Sequence, residues 1–302
     1  MELLTNKLQN CTLCPRNCGV NRIEGKRGVC RAGINPKVAL ASIHKWEEPC
    51  ISGTRGSGTI FFSHCNLKCV FCQNYKISQE DFGKEISIEA LADLFIRQQG
   101  KGVHNINLVS PTQYLVQVKQ ALIIAKQRGL NIPVIYNTNG YESAEQIKGL
   151  NGLVDVYLPD FKYAENDLAK RYSGIENYFE YASEAIIEMY NQVGAPKFDK
   201  EEIIWEGLII RHLILPGHLE NSKKVLQWIA SNLPKNIYVS LMGQYTPMYR
   251  ASDYPELSRK LFGREYDKII DYFFKIGLEN GFAQEISSAK EAYTPKFNLE
   301  GV

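Results

Sequence analysis

Residues 58–74 read GTIFFSHCNLKCVFCQN and place three cysteines directly after a short β-rich run. Cys65, Cys69 and Cys72 have the spacing C-x3-C-x2-C, and gaps this short let one loop wrap three sulfurs around one soft metal centre. A structural zinc site or a closed iron–sulfur cluster normally has four protein ligands. Three thiols leave one coordination position for water or substrate, which is typical of a site that does chemistry.

Two other interpretations of this loop stay open on the sequence alone. The loop could be a zinc knuckle whose fourth ligand is His64, or its cysteines could be three unrelated buried thiols.

The composition limits the kind of protein this is. With 302 residues, 44% of them hydrophobic, the chain suits one large domain with a small appendage. A net charge of +2 gives no argument for binding nucleic acid or a membrane surface. No segment approaches about twenty unbroken apolar residues, and residues 1–10 lack the regions of a signal peptide. All eight cysteines lie within 11–72, so we expect metal ligands in a reducing cytoplasm rather than disulfides.

A second group of cysteines forms an amino-terminal arm with the spacing C-x2-C-x3-C-x11-C. Its members are Cys11, Cys14, Cys18 and Cys30. This set of four ligands is complete, and residues 10–33 contain few apolar side chains that would hold them together otherwise. A four-thiolate zinc site and a second iron–sulfur cluster both fit. The first would be structural, and the second would relay electrons.

The rest of the chain alternates short β-rich runs with helical periodicity, which predicts βα units and a parallel sheet. The predicted strands are 59–63, 103–109, 132–137, 153–158, 208–215 and 237–241, and the predicted helices are 87–99, 113–128, 143–148, 164–172, 178–192, 221–232 and 265–279. Ser143 with Gln146 predicts a capping box at one helix start. We expect an α/β fold: a partial (β/α)6 TIM-type barrel over 56–302 with a carboxy-terminal helical extension, and a cysteine-rich, metal-binding arm over 1–55.

Each predicted strand is followed by polar residues, at the edge where parallel α/β barrels place their chemistry. The cysteine loop follows the first strand. The later strands are followed by Ser110 and Thr112, by Asn137, Thr138 and Asn139, by Asp160 and Lys162, by His218, and by Gln244 and Tyr245. The sequence therefore predicts that these side chains share one site with the cysteine loop.

The spacing C-x3-C-x-aromatic-C, with Phe71 as the aromatic, resembles the signature of the radical S-adenosylmethionine (radical SAM) enzymes. The resemblance implies that the three cysteines hold a [4Fe–4S] cluster and that S-adenosyl-L-methionine chelates its fourth iron. One electron then releases a 5′-deoxyadenosyl radical that takes hydrogen from a substrate. Within the superfamily, residues 47–53, 105–112 and 158–163 are similar to proteins related to pyruvate formate-lyase activating enzyme.

The same resemblance implies roles in cofactor binding. Ser110 and Thr112 stand where many members carry a Gly-Gly-Glu segment that binds the amino group of S-adenosyl-L-methionine, so here hydroxyls or backbone carbonyls would make that contact. The segment of Asn137, Thr138 and Asn139 resembles a Thr-Asn-Gly element that faces the ribose or the carboxylate of the cofactor. For each residue, the alternative is a capping side chain or one that solubilises the rim.

Three further residues complete the expected cofactor site. Phe71 would lie against the adenine. Asp160 and Lys162 match an Asp-x-Lys element of the activating enzymes, and their opposite charges would hold each other near the methionine and the substrate. Arg211 and His212 alternate on one strand, so only one can face the barrel interior. We expect this to be Arg211, a cation suited to a carboxylate, with a structural ion pair as the alternative.

Several residues have weaker signals. Cys50 is either a spare ligand or hydrogen donor, or a small buried apolar residue, and the latter is commoner. His44, Glu47 and Glu48 line the substrate opening or lie on a solvated face. His218 and Tyr245 are candidates for substrate contact or radical relay.

The functional hypothesis is a radical SAM enzyme that abstracts hydrogen from its substrate, with the glycine of a glycyl-radical enzyme as one candidate. Other candidates are a peptide, another protein or a small molecule. The resemblance also implies a one-electron donor such as flavodoxin or ferredoxin. The alternatives from other classes are an iron–sulfur electron carrier and a zinc-stabilised binding module.

Overall fold

The computed structural model describes residues 2–284 and 295–302. Within these residues the strands are β1 Lys37–His44, β2 Ser57–Phe62, β3 Lys84–Glu85, β4 Ile106–Val109, β5 Val134–Thr138, β6 Val156–Pro159, β7 Lys197–Phe198, β8 Ile204–Leu213, β9 Tyr238–Met242 and β10 Gly281–Gln284. The α-helices are α1 Glu2–Gln9, α2 Pro49–Ser52, α3 Tyr75–Ser78, α4 Ile88–Gln99, α5 Leu115–Gln127, α6 Ala144–Lys148, α7 Asn166–Ser173, α8 Tyr178–Val193, α9 Leu219–Asn232 and α10 Gly263–Lys275.

The strands form one curved sheet in the order β10-β9-β8-β6-β5-β4-β2-β1-β3, with β7 paired to β8 outside this path. From β2 to β10 every neighbouring pair is parallel. At the other edge β1 pairs antiparallel with both β2 and β3. The two edges do not join, so the sheet is an open barrel. The predicted α/β partial barrel is therefore confirmed.

All six predicted strands are present, but the sequence analysis missed a seventh parallel strand, β10. This strand is only four residues long and begins with Gly281, whose φ is +149°. A Cβ atom there would lie 1.9 Å from the carbonyl oxygen of Val239, so only glycine allows this close approach. The predicted helix 265–279 exists as α10, but it ends at Lys275.

Side-chain hydrogen bonds decide which helix starts are capped. The hydroxyl of Ser87 caps α4 by accepting from the backbone N–H of Ala90 at 3.0 Å. The predicted capping box at Ser143 is wrong, because its side chain makes no capping hydrogen bond. Its intended partner, Gln146, instead accepts a hydrogen bond from the Lys7 ammonium at 2.7 Å.

One end of the barrel is closed by a small apolar cluster. Cys50 and Ile51 of α2 are buried and pack against five aliphatic residues of the strands: Ile135, Val156, Leu158, Ile204 and Ile209. This cluster forms a floor inside the sheet, while the carboxyl ends of the strands stay open. The fold therefore leaves a cavity at the edge where the cysteine loop emerges.

The amino-terminal arm packs on the outside of the barrel. Leu8 and Leu13 are fully buried and form an apolar cluster with Val116 of α5, so the arm shares a small core with the barrel. The division at residue 55 stays a prediction, and β1, from the first part, shares the sheet with β2. In the described part of the chain, no helix combines the length and the apolar character needed to span a membrane.

Gly140, directly after β5, offers a test of this architecture. Its φ is +82°, and a Cβ atom would lie 2.1 Å from the carbonyl oxygen of Asp160 after β6. We expect Gly140→Ala to lower the free energy of unfolding by roughly 3 kcal/mol, because strain and a backbone clash add. The matched control is Gly129→Ala, since Gly129 has φ +95° and no atom within 4 Å of its Cβ position. Denaturant titration that gives equal losses for both variants would contradict the packing described here.

Candidate metal centre and its cavity

The cysteine loop is fixed to the rest of the barrel by its backbone. The N–H groups of Lys68 and Val70 donate to the carbonyls of Ser173 and Tyr172 at 3.0 and 2.9 Å. These carbonyls lie at the end of α7, where orphan acceptors need partners. The loop therefore keeps one conformation with its sulfurs facing the cavity.

Each of the three sulfurs lies beside a polar side chain. Asn139 Nδ2 donates to Cys65 Sγ at 3.3 Å, Ser173 Oγ lies 3.0 Å from Cys69 Sγ, and Ser78 Oγ lies 3.3 Å from Cys72 Sγ. Burial raises the pKa of Cys65 to about 12 and that of Cys72 to about 11. The thiols are therefore neutral unless a cationic metal centre stabilises the thiolates.

His64 is not available as a fourth ligand. Its Nδ1 lies 2.6 Å from the Tyr114 hydroxyl and its Nε2 lies 2.5 Å from Asp81 Oδ1. Over 2–284 and 295–302, no three Cys, His, Asp or Glu side chains are placed as ligands of one metal ion. An iron–sulfur cluster binds each cysteine through a different iron, so it needs no such convergence. The loop therefore fits a cluster with one open iron better than a zinc knuckle.

The three cysteines line a cavity of about 920 Å³ at the carboxyl ends of the strands. This volume is near the upper end of the range of small-molecule sites, roughly 300–1,000 Å³. Eight of the nine residues that the sequence analysis proposed for cofactor binding also line it: Phe71, Ser110, Asn137, Thr138, Asn139, Asp160, Lys162 and Arg211. The structure thus brings these side chains and the cysteines to one site, whereas their individual roles stay predictions.

The ninth residue, Thr112, does not line this cavity. It is fully buried, and its hydroxyl donates to Glu142 Oε1 at 2.5 Å. The predicted contact of Thr112 with the cofactor is therefore not supported by its position. The Thr138 hydroxyl also donates to Glu142 Oε1. Thr138 therefore lines the cavity with atoms other than its hydroxyl.

A buried charge network crosses the cavity from β6 to β8. Arg211 donates to Asp160 Oδ1 at 2.9 Å and to Asn137 Oδ1 at 2.6 Å, and the Lys162 ammonium donates to the other oxygen of Asp160. Burial alone would raise the pKa of Asp160, but the charges of Arg211 and Lys162 hold it below its usual value. Asp160 and Lys162 pair as predicted, and Arg211 makes the structural ion pair that was its alternative.

Arg211 and His212 point to opposite sides of β8, as the alternation predicts. The ring nitrogens of His212 lie 2.7 Å from the Phe161 carbonyl oxygen and 2.9 Å from Ser222 Oγ of α9. Burial lowers the pKa of His212 to about 4, so it is a neutral packing residue. Only Arg211 is left to face the cavity.

Comparisons with known proteins support the assignment to a family. Residues 59–229 match the model of the radical SAM superfamily. The chain is 35% identical over 288 residues to the uncharacterized protein MJ0674 of Methanocaldococcus jannaschii, covering 92% of this chain and 78% of that protein. The chain belongs to the radical SAM superfamily. The resemblance that the cysteine spacing indicates is thus confirmed at the level of the family.

Two further matches add to this. The uncharacterized protein MJ0808 of the same organism is 26% identical over 274 residues, covering 84% of this chain and 75% of that protein. The crystal structure of Streptococcus suis SuiB bound to precursor peptide SuiA matches with a TM-score of 0.51 and 14% sequence identity. It covers 73% of this chain, which spans only 46% of the SuiB chain, so this match shows the fold alone.

The arm of this radical SAM protein gathers its four cysteines beside the barrel. Cys11, Cys14 and Cys30 are at least 93% buried. The buried Arg22 places Nη2 3.6 Å from Cys30 Sγ and donates through Nη1 to the Gln113 carbonyl at 2.6 Å. A buried cation next to these sulfurs suits negatively charged thiolate ligands.

Two contacts fix the arm, one within it and one between it and the cysteine loop. A Cβ atom at Gly28 would lie 2.5 Å from Cys18 Sγ, so glycine is required beside this thiol. Arg16, between Cys14 and Cys18, donates to the carbonyl of Asn66 at 3.0 Å, which ties the arm to the loop of Cys65. The two cysteine groups are therefore mechanically linked.

The residues with weak sequence signals are distributed between the site and the core. Cys50 lies in the apolar floor, and burial raises its pKa to about 12, so it behaves as a small buried apolar residue. Tyr245 lines the cavity, with its ring centroid 6.0 Å from that of Phe71. His218 does not, and its Nε2 lies 2.8 Å from the Tyr172 hydroxyl. His44 and Glu47 do line the cavity.

Glu142 is a buried acid that the sequence analysis missed. Burial raises the pKa of Glu142 to about 7, although hydrogen bonds from Thr112, Thr138 and Tyr136 act to lower it. Its second carboxyl oxygen, Oε2, has no hydrogen-bond partner. The only sequence signal is its position three residues after Asn139. It positions β5 and the segment of Thr112 rather than facing the cavity.

The raised pKa of Glu142 predicts a pH dependence of stability. Between its ordinary pKa of 4.5 and about 7 the folded chain keeps a proton that the unfolded chain releases, so stability falls as pH rises through this window. Glu142→Gln lacks this titration. The free energy of unfolding of Glu142→Gln minus that of the wild type should therefore rise as the pH increases through this window. We expect the rise to be about 3 kcal/mol, at 1.36 kcal/mol per pKa unit.

The measurement is urea unfolding at a series of pH values, with Glu80→Gln as the matched control because Glu80 is exposed. The difference between Glu142→Gln and wild type should change with pH. A constant difference over this range would show that Glu142 titrates normally.

Proposed function

We propose that this chain reductively cleaves S-adenosyl-L-methionine and uses the resulting radical to take hydrogen from a substrate. The observation that supports this most is a trio of thiols, two buried and one half-buried, that lines a roomy cavity with no fourth protein ligand among the described residues. When bound, a [4Fe–4S] cluster supplies one electron to the sulfonium of S-adenosyl-L-methionine, which splits into methionine and a 5′-deoxyadenosyl radical.

The residues of the chain bind and orient the reactants. Cys65, Cys69 and Cys72 would hold the cluster, and the side chains of Asn139 and Ser173 beside two of these sulfurs tune its potential through hydrogen bonds.

The cations of the cavity suit the methionine carboxylate of S-adenosyl-L-methionine. Lys162 is fixed by Asp160, and Arg211 by Asp160 and Asn137, so neither has to be ordered when the ligand arrives. Phe71 offers an apolar ring for the adenine.

We further propose that the four arm cysteines hold a second iron–sulfur centre that passes electrons from a donor such as flavodoxin or ferredoxin. Three of their four thiols are buried, Arg22 lies beside Cys30 with a charge that suits thiolate ligands, and Arg16 joins the arm to the cysteine loop.

For the substrate, the resemblance of 137–140 and of Asp160 and Lys162 to the activating enzymes supports the glycine of a glycyl-radical enzyme as one candidate. The other candidate substrates are a peptide and a small molecule. An electron carrier without turnover would not need a cavity of this size.

Replacing one cysteine of the loop tests the cleavage reaction. Cys69→Ala should abolish formation of 5′-deoxyadenosine from S-adenosyl-L-methionine and dithionite, because two thiols cannot retain the cluster, and any metal of the arm should remain. Cys50→Ala is the matched control and should retain cleavage, since Cys50 lies in the apolar floor. Undiminished cleavage in Cys69→Ala would refute the assignment of the loop.

Replacing two cysteines of the arm tests the second centre. The double variant Cys11→Ala/Cys14→Ala should lose iron relative to the wild type and keep the iron of the loop, as measured by metal analysis after anaerobic reconstitution. A loss of zinc instead of iron would identify a structural zinc site, and an unchanged metal content would show that the arm binds none.

A further inference from the structure

Two side chains behind the cysteine loop form a chain of hydrogen bonds that ends at a sulfur. Tyr163, which follows β6, and Ser173, the last residue of α7, are both fully buried. The Tyr163 hydroxyl lies 2.8 Å from Ser173 Oγ, and Ser173 Oγ lies 3.0 Å from Cys69 Sγ. Tyr163 and Ser173 stand outside the lining of the cavity, so they reach the site through the sulfur of Cys69.

The charge of the sulfur decides the direction of the protons along this chain. A thiolate that holds a metal centre has no proton and can only accept, so the single proton of Ser173 Oγ points to Cys69 Sγ. The Ser173 hydroxyl then accepts the proton of Tyr163. Burial raises the pKa of Tyr163, so its hydroxyl keeps the proton that it donates. The chain therefore runs from Tyr163 through Ser173 to Cys69.

A similar arrangement lies beside Cys72. Ser78 Oγ is 3.3 Å from Cys72 Sγ, and Gln79 Nε2 is 3.2 Å from Ser78 Oγ. The same nitrogen lies 3.2 Å from the carbonyl oxygen of Leu67. A carbonyl can only accept, so the amide of Gln79 must turn its nitrogen to this side. Ser78 thus receives a hydrogen bond from Gln79 and directs its own proton to the sulfur.

At Cys65 the donor is an amide whose orientation is fixed by the backbone. Asn139 Oδ1 accepts from the N–H of Tyr141 at 2.9 Å, which leaves Nδ2 to face Cys65 Sγ at 3.3 Å. Asn139 Nδ2 also donates to Asn66 Oδ1 at 2.8 Å. Each of the three sulfurs therefore meets a donor whose direction is set by a neighbouring group.

Donors that are held in this way favour the reduced state of a cluster. Reduction adds negative charge to the sulfurs, and a proton that already points at a sulfur stabilises this charge without reorienting. Hydrogen bonds in a chain also polarise one another, by roughly 10–30% per bond. The second hydroxyl of a chain thus strengthens the bond that the first makes to the sulfur.

We propose that Tyr163 is a positioning residue that raises the midpoint potential of the loop cluster by directing and polarising the hydroxyl of Ser173 toward Cys69. Gln79 does the same for Ser78 at Cys72. The inference rests on the proposed function, because it takes the loop as the site of a [4Fe–4S] cluster. A higher potential makes the cluster easier for a one-electron donor to reduce.

The test is a redox titration followed by electron paramagnetic resonance. The parent is the full-length variant Cys11→Ala/Cys14→Ala after anaerobic reconstitution, so that the signal comes from the loop. In this parent Tyr163→Phe removes one hydroxyl, and at a fixed potential the ratio of reduced to oxidised cluster should fall roughly threefold. This is a shift of the midpoint by about 28 mV to more negative potential, at 59 mV per tenfold. Ser173→Ala should shift it further in the same direction.

A double-mutant cycle shows whether Tyr163 acts through Ser173. Tyr163→Phe should cause no further shift when Ser173→Ala is already present. The matched control is Tyr157→Phe, because Tyr157 is also fully buried and its hydroxyl lies 2.8 Å from Gln192 Oε1 of α8. The midpoint potential of this control should equal that of the parent.

Circular dichroism and iron content check that each variant is folded and loaded. If Tyr163→Phe takes up no iron, Gln79→Met tests the same mechanism at Cys72, since it removes the donor to Ser78. Its midpoint potential should also shift to a more negative value, and an unchanged value would refute the proposal.

Three results would overturn the inference: a midpoint potential that Tyr163→Phe leaves unchanged, a shift that persists in full with Ser173→Ala, or an equal shift in Tyr157→Phe. Formation of 5′-deoxyadenosine by the wild type is measured separately. If the wild type cleaves S-adenosyl-L-methionine but Tyr163→Phe leaves the potential unchanged, only this inference fails. If the potentials shift as expected without any cleavage, the proposed function alone fails. A parent that takes up no iron at the loop would contradict both.

Discussion

The structure depends on holding three cysteine sulfurs at the carboxyl edge of a parallel sheet, and within residues 2–284 and 295–302 it places no fourth ligand beside them. Two backbone hydrogen bonds, from Lys68 and Val70 to the end of α7, hold the loop in place. The imidazole of His64, next to Cys65, is occupied on both nitrogens by Tyr114 and Asp81. That His64 is not a ligand is thus a result of how neighbouring side chains are engaged, and not only of the cysteine spacing.

The barrel contributes a second constraint, because it must keep charged groups in a buried cavity. Removing ions from water is expensive unless each has a partner. Asp160 satisfies this requirement by sitting between Lys162 and Arg211, and the guanidinium of Arg211 also donates to Asn137 and to Glu47. Such a network holds the cations in one geometry before any ligand binds.

Much of the fold and of the candidate site could be predicted from the sequence, because the relevant signals are local. The strands alternate with amphipathic helices, and polar residues follow each strand at the edge that parallel sheets share. The alternation along one strand was enough to place Arg211 in the cavity and His212 in the core. The spacing of the cysteines was enough to identify the family.

The features that the sequence did not show depend on contacts between distant segments. Thr112 follows its strand like the true cavity residues, yet it turns away to bind Glu142, thirty positions later. The strand β10 consists of four unremarkable residues, and its pairing depends on the lack of a side chain at Gly281. Whether Glu47 and Glu48 are exposed or buried depends on how α2 packs to close the barrel. No local sequence pattern encodes that packing.

The most direct test of the central claim is electron paramagnetic resonance of the reduced loop cluster with and without S-adenosyl-L-methionine. The variant Cys11→Ala/Cys14→Ala removes any contribution from the arm. If Cys65, Cys69 and Cys72 leave one iron open, the spectrum should be that of a reduced [4Fe–4S] cluster and should change when S-adenosyl-L-methionine is added. A spectrum that S-adenosyl-L-methionine does not alter, or a protein that takes up no iron at this loop, would contradict the account.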